Sequence, residues 1–134
     1  MEQNDFLKML ETRKSKKHFM THNSIEPLSV DAESSRIETV LGENGRNLSG
    51  YAHGGLLMAM ADCAAGLAAK ADGRQYVTQN ISMSFISNIK EGRIFAEGKV
   101  LHRGRTVVVV RVTVSDENGT LMADATLNMF CVGN

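Results

Sequence analysis

His53-Gly54-Gly55, running into Leu56-Leu57-Met58-Ala59-Met60-Ala61-Asp62-Cys63-Ala64-Ala65-Gly66-Leu67-Ala68-Ala69-Lys70, is the stretch that decides the fold. Six alanines and no β-branched residue between Leu56 and Lys70 favour a helix. Its small apolar side chains predict a helix that packs closely against another layer. The single acid, Asp62, is then expected to be a buried carboxylate, costly unless it is paired or used. The glycine pair at the helix start leaves backbone N–H groups free to meet an anion or a polarised carbonyl. Ala71-Asp72-Gly73 ends the helix, which is expected over 54–71.

Outward from this helix the pattern changes. Phe6, Leu7 and Leu10 stand at helical spacing and predict a short amphipathic helix over 1–17. Its basic end, Arg13, Lys14, Lys16 and Lys17, suits a solvated helix C-terminus. Residues 18–33 read as irregular, Ser35–Leu41 as a strand, and the Gly- and Asn-rich 42–52 as a loop. After residue 75 everything reads as β: Tyr76–Ile86, Ile94–Leu101, Thr106–Val114 and Thr120–Val132. Asp116-Glu117-Asn118-Gly119 joins the last two as a hairpin. The expectation is an α+β fold: four antiparallel strands, with one or two more before them, wrapped around one long central helix. A chain of 134 residues fits one such domain, 1–134.

Composition excludes several classes. Lys plus Arg and Asp plus Glu balance at 15 each, without the basic excess of a dedicated nucleic-acid binder. No apolar run is long enough to span a membrane, and the N-terminus has no signal-like apolar core. Cys63 and Cys131 form no Cys-x-x-Cys pair. Free thiols in a cytoplasmic protein are expected, with no metal site. His18, His22 and His102 likewise lack ligand spacing.

Asn47-Leu48-Ser49-Gly50-Tyr51-Ala52-His53-Gly54-Gly55 followed by Asp62, then Tyr76-Val77-Thr78-Gln79-Asn80 on the next strand, resembles the hotdog-fold acyl-CoA thioesterases, in the branch of the phenylacetate-pathway enzymes. Arg103-Gly104-Arg105-Thr106 and Asp116-Glu117-Asn118-Gly119-Thr120-Leu121 extend the resemblance, which covers about residues 35–132. The Asn-x5-His-Gly-Gly-x6-Asp spacing is its most specific part. The resemblance implies that Asp62 drives attack on a thioester and that the Gly54 amide polarises the carbonyl. It further implies that Asn47 and His53 place the thioester or the water, and that Thr78 supports the water. Asn88 stands where the family often has a proline after that strand.

Part of the chemistry can be argued without the family. Attack on a thioester places negative charge on the carbonyl oxygen, which an unhindered N–H at a helix start can stabilise. Asp62 can serve as general base or as a nucleophile forming a mixed anhydride. Gly55 adds a second amide beside the substrate. Arg103, Arg105 and Thr106 are candidates for binding coenzyme A phosphates, since guanidinium pairs well with phosphate; a solvated hairpin tip is the other reading. Gly54 and Asp62 are eight residues apart, roughly 12 Å along a helix at about 1.5 Å per residue. One thioester cannot span that distance, so each site is expected to combine Gly54 of one copy with Asp62 of another across a two-fold interface. The expectation is therefore an acyl-CoA thioesterase, a homodimer or dimer of dimers, needing no cofactor beyond the coenzyme A of its substrate. The alternatives are a non-catalytic acyl-CoA-binding module and a hydroxyacyl-thioester dehydratase.

Overall fold

The structure, a computed structural model, describes Lys8 and residues 18–134. The helix expected over 1–17 therefore lies outside the described residues, except for Lys8. The chain continues with α1 (Phe19–His22), β1 (Glu26–Val30), β2 (Ser34–Val40), a 3-10 turn at Glu43–Gly45 and the central helix α2 (Gly54–Lys70). β3 (Gln75–Phe85), β4 (Arg93–Arg103), β5 (Val107–Asp116) and β6 (Leu121–Gly133) follow. The six strands form one antiparallel sheet in the order β1-β2-β4-β5-β6-β3. α2 packs mainly against β2, β3, β4, β5 and β6. This is the expected hotdog architecture. No described helix is long and apolar enough to cross a membrane.

Residues 18–33 are more ordered than the sequence predicts. They hold α1 and β1, and β1 turns back into β2 through Asp31, whose Oδ1 accepts from the amides of Glu33 and Ser34 at 2.9 and 2.8 Å. β1 has five residues, includes Pro27, and has only Val30 fully buried. It therefore lacks the clean alternation that marks a strand.

The core follows from period-two patterning on the sheet and from small residues on the helix. Val108, Val110, Val112 and Val114 all point inward and are completely buried, as do Ala123, Ala125, Leu127 and Met129 on β6. Against them lie Leu57, Met60, Ala61, Ala64, Ala65, Ala68 and Ala69 of α2. The approach is tight at Gly98 on β4. A Cβ there would stand 3.1 Å from the Ala64 carbonyl oxygen, 3.0 Å from Ser35 Oγ and 3.3 Å from Val110. Ser35 is itself buried and donates to that same Ala64 carbonyl at 2.6 Å. A backbone carbonyl cannot move aside as a flexible side chain can. Gly98→Val is therefore expected to lower unfolding stability by about 1–3 kcal/mol, read as a lower denaturant midpoint with an unchanged slope. An unchanged midpoint would show that helix and sheet are not in close contact at this point.

Burial on α2 corrects one expectation. Asp62 is exposed in the single chain, on a stripe with Gly55, Met58 and Lys70. The sheet covers one side of the helix and leaves this stripe uncovered. β3, at the end of the sheet, pairs among the described residues only with β6. The exposed stripe and the open strand edge lie side by side, because Thr78 of β3 contacts Asp62 of α2.

Candidate active site

The start of α2 is built by His53. Its backbone is extended (φ −65°, ψ 136°), and its Nδ1 accepts a hydrogen bond from the Gly55 amide at 2.8 Å, which makes it the N-cap. A Cβ on Gly55 would lie 3.0 Å from that Nδ1, so glycine leaves room for the ring to fold over the helix end. With Nδ1 committed as an acceptor, the neutral imidazole carries its proton on Nε2. Gly55, expected to offer a second amide to substrate, has instead spent its N–H on His53. The Gly54 N–H differs. As the first helical residue it has no intrahelical acceptor, and it has no other partner among the described residues. The Phe85 ring lies beside it, 3.7 Å from where a Gly54 Cβ would be.

Two turns along the helix, Asp62 meets Thr78, whose hydroxyl donates to Asp62 Oδ1. Oδ2 has no hydrogen-bond partner among the described residues. An irregularity in β3 makes the contact possible. The β3–β6 register shifts between Thr78 and Asn80. The extra residue lets Thr78 and Ile81, three positions apart, both face the helix, where strict alternation would turn one of them away. Ile81 and Met83 then pack on the core. Asp62 opens onto a cavity of about 310 Å³ lined by Phe19, Met58, Ala59 and Ile81. Phe19 and Ala59 also border a larger hollow of about 660 Å³ that reaches His53 and Gly55.

The loop before the helix is braced from within and from outside. Asn47 Oδ1 accepts from the amides of Ser49 and Tyr51 at 2.9 and 3.1 Å, so only its amide NH2 is left to face outward. Asn47, Arg46, Leu48, Ser49 and His53 line a third hollow. From outside, Asn88 Nδ2 donates to the Ala52 carbonyl at 2.9 Å, and the Ala52 amide donates to Ile89 O at 3.0 Å.

Of the hairpin residues, Arg103 is placed differently from both readings of the sequence. Arg103 is not available to a phosphate. Nη1 donates to Ala69 O (2.9 Å) and Asp72 Oδ2 (2.6 Å), and Nη2 donates to Ala32 O (2.6 Å) and Ala68 O (3.0 Å). Its remaining N–H, on Nε, is buried without a partner. Arg103 instead caps the C-terminal end of α2, where cations are favoured. Asp72 Oδ2 also accepts from Tyr76 Oη (2.5 Å) and Arg74 Nε (3.1 Å). Burial alone would raise the Asp72 carboxyl, but donation from Tyr76 and Arg74 and the Arg103 charge hold it below the usual range. Burial, then donation to Asp72, pushes the Tyr76 phenol up to about 12. Arg105 and Thr106 are both exposed. The Arg105 carbonyl accepts from Arg74 Nη1 at 2.6 Å, and the Thr106 carbonyl from the Cys131 amide at 2.7 Å.

Cys63 lies beside Asp62 but is no nucleophile. Burial, then the Asp62 charge, pushes its thiol up to about 12, so it stays protonated at neutral pH. Among the described residues no group of three His, Cys, Asp or Glu side chains could hold a metal ion.

A carboxylate held by a hydroxyl and an unclaimed amide at a helix start therefore stand on one helix of a hotdog framework. Residues 49–123 match the thioesterase superfamily, and the chain belongs to that superfamily. By class it is a thioester hydrolase. It is 32% identical over 103 residues to a protein of Saccharolobus solfataricus provisionally named an esterase, a match covering 75% of this chain and 74% of that one. A hypothetical thioesterase of Streptococcus pneumoniae, solved with coenzyme A, superposes with a TM-score of 0.79 at 27% identity, over 82% of this chain and 87% of that one. A Streptococcus mutans protein bound to acetyl-CoA gives 0.79 at 29% identity, over 82% and 90%. The S. pneumoniae protein has also been solved with one aspartate and, separately, one threonine replaced by alanine; those two positions are sixteen residues apart.

Proposed function

We propose that the protein hydrolyses acyl-CoA thioesters to a free carboxylic acid and coenzyme A, in sites shared between two copies of the chain. The observation that carries this reading is the pairing of Thr78 with Asp62 on the helix whose first amide, at Gly54, is free. The separation between Asp62 and Thr78 matches that between the aspartate and threonine changed in the S. pneumoniae protein. The coenzyme A and acetyl-CoA in the two streptococcal structures support a coenzyme A thioester as the substrate.

In this mechanism Thr78 holds Oδ1 and leaves Oδ2 to act. As general base, Oδ2 takes a proton from water as the water oxygen bonds to the carbonyl carbon. As nucleophile, Oδ2 bonds to that carbon itself and gives a mixed anhydride, which water then opens. Either way negative charge gathers on the carbonyl oxygen, and the Gly54 N–H of a second copy stabilises it. The C–S bond breaks; in the general-base route the coenzyme A sulfur takes up the proton that Oδ2 removed from water, and in the anhydride route it leaves as a thiolate that solvent protonates. His53, with its proton on Nε2, and the Asn47 NH2 position the thioester. Arg105 and Thr106 are the hairpin residues left to meet the phosphates.

The second copy is required by distance. Within one chain the unbroken helix holds the Gly54 amide roughly 12 Å from Asp62. The open edge of β3 supports pairing of two copies, since unpaired strand N–H and C=O groups are a template for another strand. The apolar side chains exposed on β3 and the neighbouring helix, Val77, Phe85 and Met58, support it too. A further pairing into a dimer of dimers belongs to the same reading.

The test is thiol release, read with a disulfide reagent, from acetyl-, hexanoyl-, lauroyl-, benzoyl- and phenylacetyl-CoA. The protein-only signal is subtracted, because Cys63 and Cys131 are only half-buried free thiols. Release from at least one substrate, abolished in Asp62→Asn, is the expected result. Tight binding of acyl-CoA with no release from any would make the protein a binding module.

A further inference from the structure

We infer that Asn88 is a positioning residue for the reaction: it clamps the peptide that aims the Gly54 amide. The inference rests on the reading that this amide serves the thioester carbonyl.

The segment after β3 joins two parts of the molecule. At one end it is tied to β6: the amides of Ile86 and Ser87 donate to Met122 O at 2.8 and 3.2 Å, and Ser87 Oγ donates to Leu121 O at 2.6 Å. At the other end it grips the loop before α2. Asn88 Nδ2 donates to Ala52 O at 2.9 Å, and Ala52 N donates back to Ile89 O at 3.0 Å. Asn88 Oδ1 meanwhile accepts from its neighbour's amide, Ile89 N, at 2.8 Å, which fixes the side-chain amide's orientation. Arg46 Nε donates to Lys90 O at 3.0 Å, and the Lys90 ammonium sits 4.8 Å from the centre of the Tyr51 ring.

Ala52 is therefore bound on both its polar groups, and it is completely buried. Two residues later the chain presents the Gly54 N–H. The intervening His53 is fixed as well, through its own amide to Gly45 O at 2.8 Å and through its ring to Gly55. Few rotations remain between the Asn88 clamp and the Gly54 amide. An amide that stabilises charge only in the transition state works through its direction, and a displacement of about 1 Å can cost on the order of a hundredfold in rate. Here a side-chain hydrogen bond sets the loop.

The role predicts a particular division of effects. Asn88→Asp keeps the shape but turns the donor into an acceptor facing the Ala52 carbonyl. Asn88→Ala removes the side chain without introducing repulsion and serves as the second variant if the first is poorly folded. Both are expected to lower kcat on the best acyl-CoA by about ten- to a hundredfold, with KM changed by less than about threefold, because the amide acts on the transition state more than on bound substrate. Backbone hydrogen exchange in the intact protein should speed up at residues 52–55 while the amides of β5 keep their protection. Exchange needs no substrate, so it tests the clamp even if no acyl-CoA is cleaved; in that case the functional reading fails and the clamp does not. Unchanged exchange at 52–55 in both variants overturns the proposal. So does a kcat loss matched by equal loss of protection in β5, which would make Asn88 a general stabilising residue.

Discussion

Asp62→Asn is expected to lower kcat by about 10²- to 10⁴-fold while leaving the fold and the affinity for acyl-CoA nearly unchanged. The size follows from what is removed: the one carboxylate that, among the described residues, meets the Thr78 hydroxyl. Stability should change little because Asp62 is exposed in the single chain and is not part of the core. Asparagine keeps an oxygen that the Thr78 hydroxyl can still meet, so the local hydrogen bond survives. The substitution therefore separates chemistry from structure better than alanine does. Calorimetry with a coenzyme A thioester should show retained binding, and thiol release should show lost turnover. A variant with full turnover would remove Asp62 from the mechanism. In the active protein, a single turnover in ¹⁸O-water distinguishes a general base from an anhydride that water opens at the aspartyl carbon. A general base puts solvent oxygen into the product acid at the first turnover. An anhydride opened by attack at the aspartyl carbon delivers an unlabelled Asp62 oxygen first.

Much of the fold was legible because the signals are local. Alanine content and the flanking glycines set the limits of α2 within a residue, and a run rich in β-branched residues marked β5. The Asp116–Gly119 turn also forms as read, with Gly119 at φ 82° and its amide donating to Asp116 O at 3.0 Å. What escaped depends on neighbours distant in sequence. An alanine-rich helix carries alanine on every side, so its composition does not say which side the sheet will cover, and Asp62 was expected in the core for that reason. For Arg103 the sequence leaves open a phosphate ligand or a solvated hairpin tip and supports neither correctly, since a basic pair beside a glycine does not reveal that one guanidinium turns back to bind four oxygens, two of them the last carbonyls of a helix. The β3 irregularity that brings Thr78 onto the same face as Ile81 left no mark in the sequence. In the sequence Asn88 stands out only by the absence of a proline, although asparagine readily bonds to nearby backbone outside regular elements.

Gly54→Pro is expected to cost about 10²- to 10³-fold in kcat without unfolding the helix, the typical loss on removing one oxyanion donor. Gly54 is the first helical residue, the position where proline is best tolerated, because the N–H it removes has no helical acceptor. The preceding His53 already has the extended backbone that a following proline demands (φ −65°, ψ 136°). The change thus deletes one N–H where the backbone already suits proline. Mixed with Asp62→Asn, it also tests the shared site. If each site combines Asp62 of one chain with Gly54 of its partner, both parent dimers are inactive. A mixed dimer, however, holds one complete site, formed by the unaltered Asp62 of one chain and the unaltered Gly54 of the other. Random exchange of equal amounts makes half of the dimers mixed, so activity should recover to about one quarter of that of the unaltered protein. If each chain carried a whole site, no exchange could restore activity. Recovery that appears only after the two variants are dissociated and reassociated together would tie catalysis to the interface. A mixture that stays inactive after verified exchange would confine the site to one chain and require another donor, nearer to Asp62 than the Gly54 amide.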